Sequence, residues 1–462
     1  MAGVEELPFK KYGTFAIVLY HVCAFVTACD IQMLVVFMRA FEVDLGLSPS
    51  SLSVIKTVEV LAGTACSPIW GLLVDRFVVN HVYPAGAFLG GVVCILLACV
   101  SNYPFIIFLR ILHGFAMSST GPVVHKIITE SRSNSEMAIW YGFYVAVMCA
   151  ASLTSVFCCS QLALKTIAGY YGWRLCYLVM SLVWLVIGVL VYFFLKPTAD
   201  GVANSMPKPF RGVKTELREV IENVKRVVSI RTFWILVLAT ICGDAVASTA
   251  VYMMMYFQYC GLSDMMAGIA CGVMSVGTFA GSILGGFIAD FCQRKSEKYG
   301  RLLLGAIVIA IRLIFISLLL AIPIKDSSLQ WYNWIELALF GVSALTFANV
   351  DRPTLVAVVP RVNQALGVAL IRVIGDTPSC AIFLPLVGFL SEKSFGYVKT
   401  RELVEDMDPL IRDGNATALR KSMLYIACFG VVCGFFVYIA MIFTYPDDFE
   451  KKKRQDMILE NP

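Results

Sequence analysis

A chain of 462 residues that is 59% hydrophobic and only 15% charged departs from the soluble average of about 45–50% apolar and about 25% charged. Membrane insertion is the simplest account, and a formal charge of +5 over this length argues against a nucleic-acid binder. The sixteen cysteines, with Cys94, Cys99, Cys149, Cys158 and Cys159 inside apolar runs, read as small hydrophobes; no spacing among them resembles a zinc site, so neither a metal nor another cofactor is expected.

A membrane-spanning helix needs about 20 mostly apolar residues. The first such run, 14–38, is too long for a signal-peptide core and no small-residue cleavage site follows it, so it reads as a retained helix. Further runs predict helices over 52–74, 82–101, 104–128, 137–162 and 174–196. A second set falls over 232–258, 265–289, 302–323, 332–358, 364–390 and 422–445. The expected architecture is an all-α membrane protein of twelve transmembrane helices. It divides into an N-terminal six-helix bundle (1–196), a connector (197–231), a C-terminal six-helix bundle (232–445) and a basic tail (446–462).

The connector differs in kind. It follows Lys196-Pro197 and carries Lys208, Arg211, Lys214, Arg218, Lys225, Arg226 and Arg231. Its part from Lys214 to Val228 has helical periodicity with mixed charge, which predicts a helix lying along the membrane surface. Lys and Arg in the loops set orientation. Lys10, Lys11, Arg76, Arg132, the connector, Arg294, Lys295, Lys298 and Arg301 fall on one side with the tail Lys451–Arg454, so both termini are expected in the cytoplasm. The tail is expected to rest on anionic membrane lipid. The opposite loops are poor in cations except 391–421, where acids balance them; Asn415-Ala416-Thr417 in that loop is a candidate glycosylation sequon.

Leu47–Asp75 and Leu262–Asp290 align without a gap at an offset of 215 residues. Seven positions are identical: Leu47/Leu262, Ser48/Ser263, Val58/Val273, Ala65/Ala280, Ser67/Ser282, Gly71/Gly286 and Asp75/Asp290. The second helix of each half is thus one element used twice, which implies two pseudo-symmetric bundles.

These residues resemble the major facilitator superfamily. Gly71-Leu72-Leu73-Val74-Asp75-Arg76 is similar to the family signature after helix 2, and Gly286-Phe287-Ile288-Ala289-Asp290 echoes it after helix 8. Arg110-Ile111-Leu112-His113-Gly114 resembles the helix 4 signature, and Gly172-Trp173-Arg174 opens helix 6 as in many members. Within the superfamily, Asp30, Ser67-Pro68-Ile69-Trp70-Gly71 and Gly375-Asp376-Thr377-Pro378-Ser379 resemble the Spinster-like branch, which implies sphingolipid or lysophospholipid cargo. Two departures stand out. Phe77-Val78-Val79-Asn80-His81 replaces the usual basic residues after Arg76, and Met117 stands where the branch carries an acid three residues after Gly114. The first weakens the loop that latches the family's outward-open state; the second removes the branch's carboxylate for proton coupling at that position.

A charge in the membrane interior costs about 2.5–3.5 kcal/mol on insertion scales. Asp30 lies in helix 1, and Arg110 and His113 lie in helix 4. The resemblance implies that both helices flank a central cavity. Asp30 and Arg110 are therefore expected to pair, as a substrate or proton switch or as a static ion pair. Lys56 and Glu59 share a helical face near the outer interface, where they can snorkel. Asp244 in helix 7 has no local neutralising partner and is a candidate for cargo binding or coupling. Tyr252 and Tyr256 frame a methionine run that suits an amphipathic cargo or ordinary packing. Arg372 and Asp376, four apart in helix 11, are expected to pair, with Pro378 and Pro385 supplying a hinge. Arg312 in helix 9 has no evident partner beyond a lipid headgroup or another side chain.

No P-loop lysine motif, zinc-protease motif or nucleophile elbow occurs, so the chain is not read as an enzyme. The expected function is secondary transport of a small organic or amphipathic solute by alternating access. Asp30, Arg110, His113, Asp244, Tyr252 and Tyr256 would bind cargo or couple a proton or ion. Gly71, Asp75, Arg76, Gly286 and Asp290 would serve the gating loops. The expected state is a monomer. The alternatives are a carrier of a small polar or anionic nutrient and a transport-inactive receptor or scaffold.

Overall fold

The computed structural model describes residues 12, 14–131, 137–195, 213–324, 328–345, 347–360 and 363–460. Lys10, Lys11, Arg132, Lys208 and Arg211, and the side chains of Asp75, Arg76 and Lys214, lie outside the described residues. Among the described residues eleven helices are long and apolar enough to cross a membrane.

Two compact units divide the chain. The first contains α1 (Thr14–Val36), α2 (Met38–Leu45), α3 (Pro49–Arg76) from Val54 onward, α4 (Val79–Cys99), α5 (Tyr103–Met117), α6 (Thr120–Ser131), α7 (Met137–Ala163), β1 (Thr166–Ile167), β2 (Tyr170–Tyr171) and α8 (Gly172–Phe194). α1 packs on α7, and α4 packs on α8 and α5. The Asn102 side chain caps α5 by accepting from Phe105 N at 3.2 Å, and Pro104 fits the first turn, where no amide donor is needed. Ala168 and Gly169 both take positive φ and make the tight turn between β1 and β2.

The second unit contains α9 (Val213–Val228), α10 (Arg231–Ala250), α11 (Met253–Tyr259), α12 (Asp264–Lys295), α13 (Gly300–Ala321), α14 (Trp331–Val342), α15 (Arg352–Val358), α16 (Gln364–Ile371), α17 (Thr377–Phe389) and α18 (Pro409–Glu460), and Leu47–Ser53 groups with it. α10 packs on α18 and α17, α12 on α14, and α13 on α18. α12 and α14 meet backbone to backbone, since a Cβ on Gly341 would collide with the Met274 carbonyl. Small residues permit that close approach in membrane bundles.

Several expected spans are broken or longer than the hydropathy suggests. The run 332–358 forms α14, a 3-10 turn (Ser343–Leu345), a π-helical turn (Phe347–Asp351) and α15. The run 364–390 is interrupted by a π-helical turn at Arg372–Asp376. Helix 4 divides between α5 and α6, and helix 7 between α10 and α11. Residues 409–421 read as loop and 446–460 as tail in the sequence, yet both are turns of α18, whose 52 residues outrun a bilayer core of about 30 Å. Hydropathy marks only the apolar stretch of such a helix and is blind to its polar ends.

Candidate functional site

In the first unit five helices bring polar side chains to one buried point. α1 supplies Asp30, α3 Lys56 and Glu59, α4 Cys94, α5 Arg110 and His113, and α8 Tyr177 and Trp184. The pairs Lys56/Glu59 and Arg110/His113 are each three residues apart, so each presents two groups on one helical face. A Cβ on Gly114 would collide with the Glu59 carbonyl, so glycine there lets α5 lie directly against α3.

His113 bridges two carboxylates. Its Nε2 lies 3.0 Å from Asp30 Oδ2 and its Nδ1 lies 2.8 Å from Glu59 Oε1. Trp184 Nε1 donates to Asp30 Oδ2 at 2.6 Å, and Arg110 donates to the Tyr177 hydroxyl. Glu59 also faces Lys56 Nζ at 3.5 Å and Arg110 Nη1 at 3.8 Å. Asp30, Arg110 and His113 are all 0% exposed. Asp30 thus takes His113 and Trp184 as its partners, where the sequence suggested Arg110. Glu59, which the sequence set at the interface, is buried at the centre of the network. Helical spacing revealed the Lys56/Glu59 pair on α3; it carried no information on which helices face one another.

The second unit holds a cavity of about 400 Å³, within the range of about 300–1,000 Å³ for small-molecule sites. Its lining is mainly apolar, with Asp244, Asp351, Asp376 and Arg312 as its charged members and Thr240 and Tyr438 among its polar ones. Ser379 donates to Asp244, Tyr438 donates to Asp351, and Arg312 donates to Ser343 through its hydroxyl (3.2 Å) and its carbonyl. Asp376 Oδ1 has no hydrogen-bond partner. Asp351 and Asp376 each close a π-helical turn, a local distortion that recurs at functional sites. Asp351 falls inside the expected helix 332–358, where nothing in the local sequence sets it apart.

The remaining candidates are not among the residues lining the cavity. Tyr252 is buried and donates to Pro49 O at 3.0 Å within the second unit; Tyr256 is buried as well. Arg372 is exposed and forms no ion pair with Asp376. A Cβ on Gly71 would meet nothing within 4 Å, and one on Gly286 would sit 3.5 Å from Asn349 Oδ1. Asp290 pairs with Arg301 at 2.8 Å across the α12–α13 turn. Asn415 is 1% exposed, and its amide clamps Val398 from both sides (2.8 and 2.7 Å), which opposes its use as a glycosylation site.

A family profile described as the Major Facilitator Superfamily matches residues 20–380. A search of curated proteins finds no match. Among solved structures, a bacterial homologue of the human lysosomal transporter Spinster, inward-facing and unoccupied, is similar at 14% identity and TM-score 0.77, over 96% of this chain and 99% of that one. The nucleoside transporter NupG is similar at 13% identity and TM-score 0.65, over 92% of this chain and 98% of that one. At these identities the likenesses speak for the fold.

Proposed function

The chain belongs to the major facilitator superfamily, and from that premise we propose that it is a secondary transporter of an amphipathic organic cation, such as a long-chain amine of the sphingoid type. The observation that carries this reading is the cavity of the second unit. Three carboxylates and one guanidinium line a mainly apolar space of about 400 Å³. An apolar wall suits a hydrocarbon chain, and a surplus of carboxylates suits a positively charged head group. Asp376, whose Oδ1 has no hydrogen-bond partner, and Asp244, which Ser379 ties to the neighbouring helix, are the groups we assign to that head. Asp30, Arg110 and His113 are 0% exposed, and in this reading their network does not touch cargo. The same burial of Arg110 disfavours the carrier of an anionic nutrient. We further propose that both termini face the cytoplasm, on the strength of the lysine- and arginine-rich loops, and that the chain works as a monomer.

The test is uptake by proteoliposomes offered a long-chain amino alcohol, a fatty acid of equal chain length and a nucleoside. The amine is expected to accumulate, and Asp244→Asn is expected to abolish its accumulation. Uptake of the fatty acid or the nucleoside in its place, unaffected by Asp244→Asn, would overturn the reading.

A further inference from the structure

Three potential metal donors from three helices converge in the first unit. Asp30, Cys94 and His113 each place a ligand atom within 4.8 Å of the others. The pairwise separations are 3.0 Å from His113 Nε2 to Asp30 Oδ2, 3.8 Å from Cys94 Sγ to His113 Nε2 and 4.0 Å from Cys94 Sγ to Asp30 Oδ2. Tetrahedral zinc bound at about 2.3 Å to sulfur and about 2.0–2.2 Å to nitrogen or oxygen sets its donors about 3.3–3.6 Å apart. Shifts of a few tenths of an ångström close the triangle on such an ion.

Three further observations point to a bound cation. Asp30 Oδ1 is fully buried and has no hydrogen-bond partner, so one carboxylate oxygen is left over beside the triangle. Both nitrogens of His113 face carboxylate oxygens, at 2.8 and 3.0 Å. When Nδ1–H donates to Glu59, the Nε2 lone pair points at Asp30, and two electron-rich atoms at 3.0 Å need a positive centre between them. A second proton on the ring is one such centre and a metal ion is the other. Finally, Glu59 on Nδ1 and Trp184 on Asp30 Oδ2 form the outer layer of hydrogen bonds that orients metal-binding imidazoles and carboxylates.

We infer that Asp30, Cys94 and His113 form a buried site for one divalent metal ion of the zinc class, clamping α1, α4 and α5 together. A thiolate, a carboxylate and a neutral imidazole cancel the 2+ charge, which an ion out of water requires. Cys94 releases its thiol proton on binding. Relative to a doubly protonated His113 and a Cys94 thiol, the ion replaces two protons, so the charge facing Lys56 and Arg110 is unchanged. The mixed sulfur, nitrogen and oxygen set favours zinc, cobalt or iron over magnesium or calcium. The spacing Asp30…Cys94…His113 matches no sequence signature because each ligand comes from a different helix.

The test uses the full chain, purified in detergent, freed of any tag, and titrated with Co2+ alone. One Co2+ per chain is expected, with a near-ultraviolet thiolate-to-cobalt charge-transfer band. Cys94→Ser is expected to remove the band, Cys23→Ser, at another buried cysteine, to keep it, and Glu59→Gln to weaken Co2+ binding about 10–100-fold. X-ray absorption on the Zn2+-loaded wild type, which needs no variant to fold, is expected to show one sulfur at about 2.3 Å. A folded wild type that binds no ion, a band that survives Cys94→Ser, or a zinc shell of nitrogen and oxygen alone would overturn the site. None of these readouts depends on transport, so they stand or fall apart from the cargo assignment.

Discussion

The Ser379 hydroxyl on α17 donates to the Asp244 carboxylate on α10, so one hydrogen bond ties together the two helices that bring Asp244 and Asp376 to the cavity. A hydrogen bond to a charged group contributes about 1.5–3 kcal/mol.

Asp244→Asn keeps the shape of this contact and removes its charge. If Asp244 holds a cationic head group, uptake of a long-chain amine falls at least tenfold, about 1.4 kcal/mol or more in binding terms. Ser379→Ala keeps the charge and removes the donor, and a smaller loss is expected. Equal rates for wild type and Asp244→Asn in proteoliposomes, with matched thermal stability, would count against the assignment.

Gly114 and Gly71 are glycines from two family signatures, yet their surroundings differ. A Cβ on Gly114 meets the Glu59 carbonyl, whereas one on Gly71 meets nothing within 4 Å. Forcing α5 away from α3 would also pull His113 and Arg110 from Glu59. Gly114→Ala is therefore expected to destabilise by about 1–3 kcal/mol. Gly71→Ala should be neutral or gain about 0.5–1 kcal/mol from helix propensity. Thermal unfolding of both variants in detergent checks the contrast, and similar melting temperatures would refute it.

The sequence carries the fold further than the site. Apolar runs of the right length mark most of the helices, and the Leu47–Asp75 and Leu262–Asp290 repeat marks the second helix of each half. Hydropathy does not register the π-helical turns at Phe347–Asp351 and Arg372–Asp376, because an extra backbone residue leaves composition unchanged. At Glu59 the missing information was rotational: the Lys56/Glu59 spacing is readable, and the turn of α3 that buries Glu59 against α5 is a property of packing.

Asp44 at the end of α2 shows how the Gly172-Trp173-Arg174 run is anchored. Its Oδ2 accepts from Trp173 Nε1 at 3.0 Å and Arg174 Nε at 3.0 Å, and it lies 2.9 Å from Arg174 Nη2. Arg174 also donates to Ala98 O at 2.9 Å and to Ser101 Oγ at 2.9 Å. The start of α8 is thereby pinned to α2 and to the α4–α5 turn. Asp44→Ala removes the acceptor for two donors and the partner of the Arg174 charge, and a loss of about 1–3 kcal/mol is expected. Arg174→Lys cannot reproduce the fork and should recover little of the native stability. Denaturant unfolding of the two variants decides whether this anchor is structural.

Asn415 is the last case, and two chemistries compete for its amide. As a sequon it would present Nδ2 to a glycosyltransferase; in the structure Nδ2 donates to Val398 O at 2.7 Å while Oδ1 accepts from Val398 N at 2.8 Å. Glycosylation requires an exposed side chain, and Asn415 is 1% exposed. Enzymatic deglycosylation of the protein from eukaryotic cells is expected to leave its mass unchanged. Asn415→Ala should instead lower stability by about 0.5–1.5 kcal/mol, because it removes both hydrogen bonds to the Val398 backbone. Thr417→Ala destroys the sequon without touching that clamp, so it should be close to neutral. A mass shift on deglycosylation, abolished by Thr417→Ala, would instead place Asn415 at the surface during synthesis and refute its role as the clamp of the α18 start.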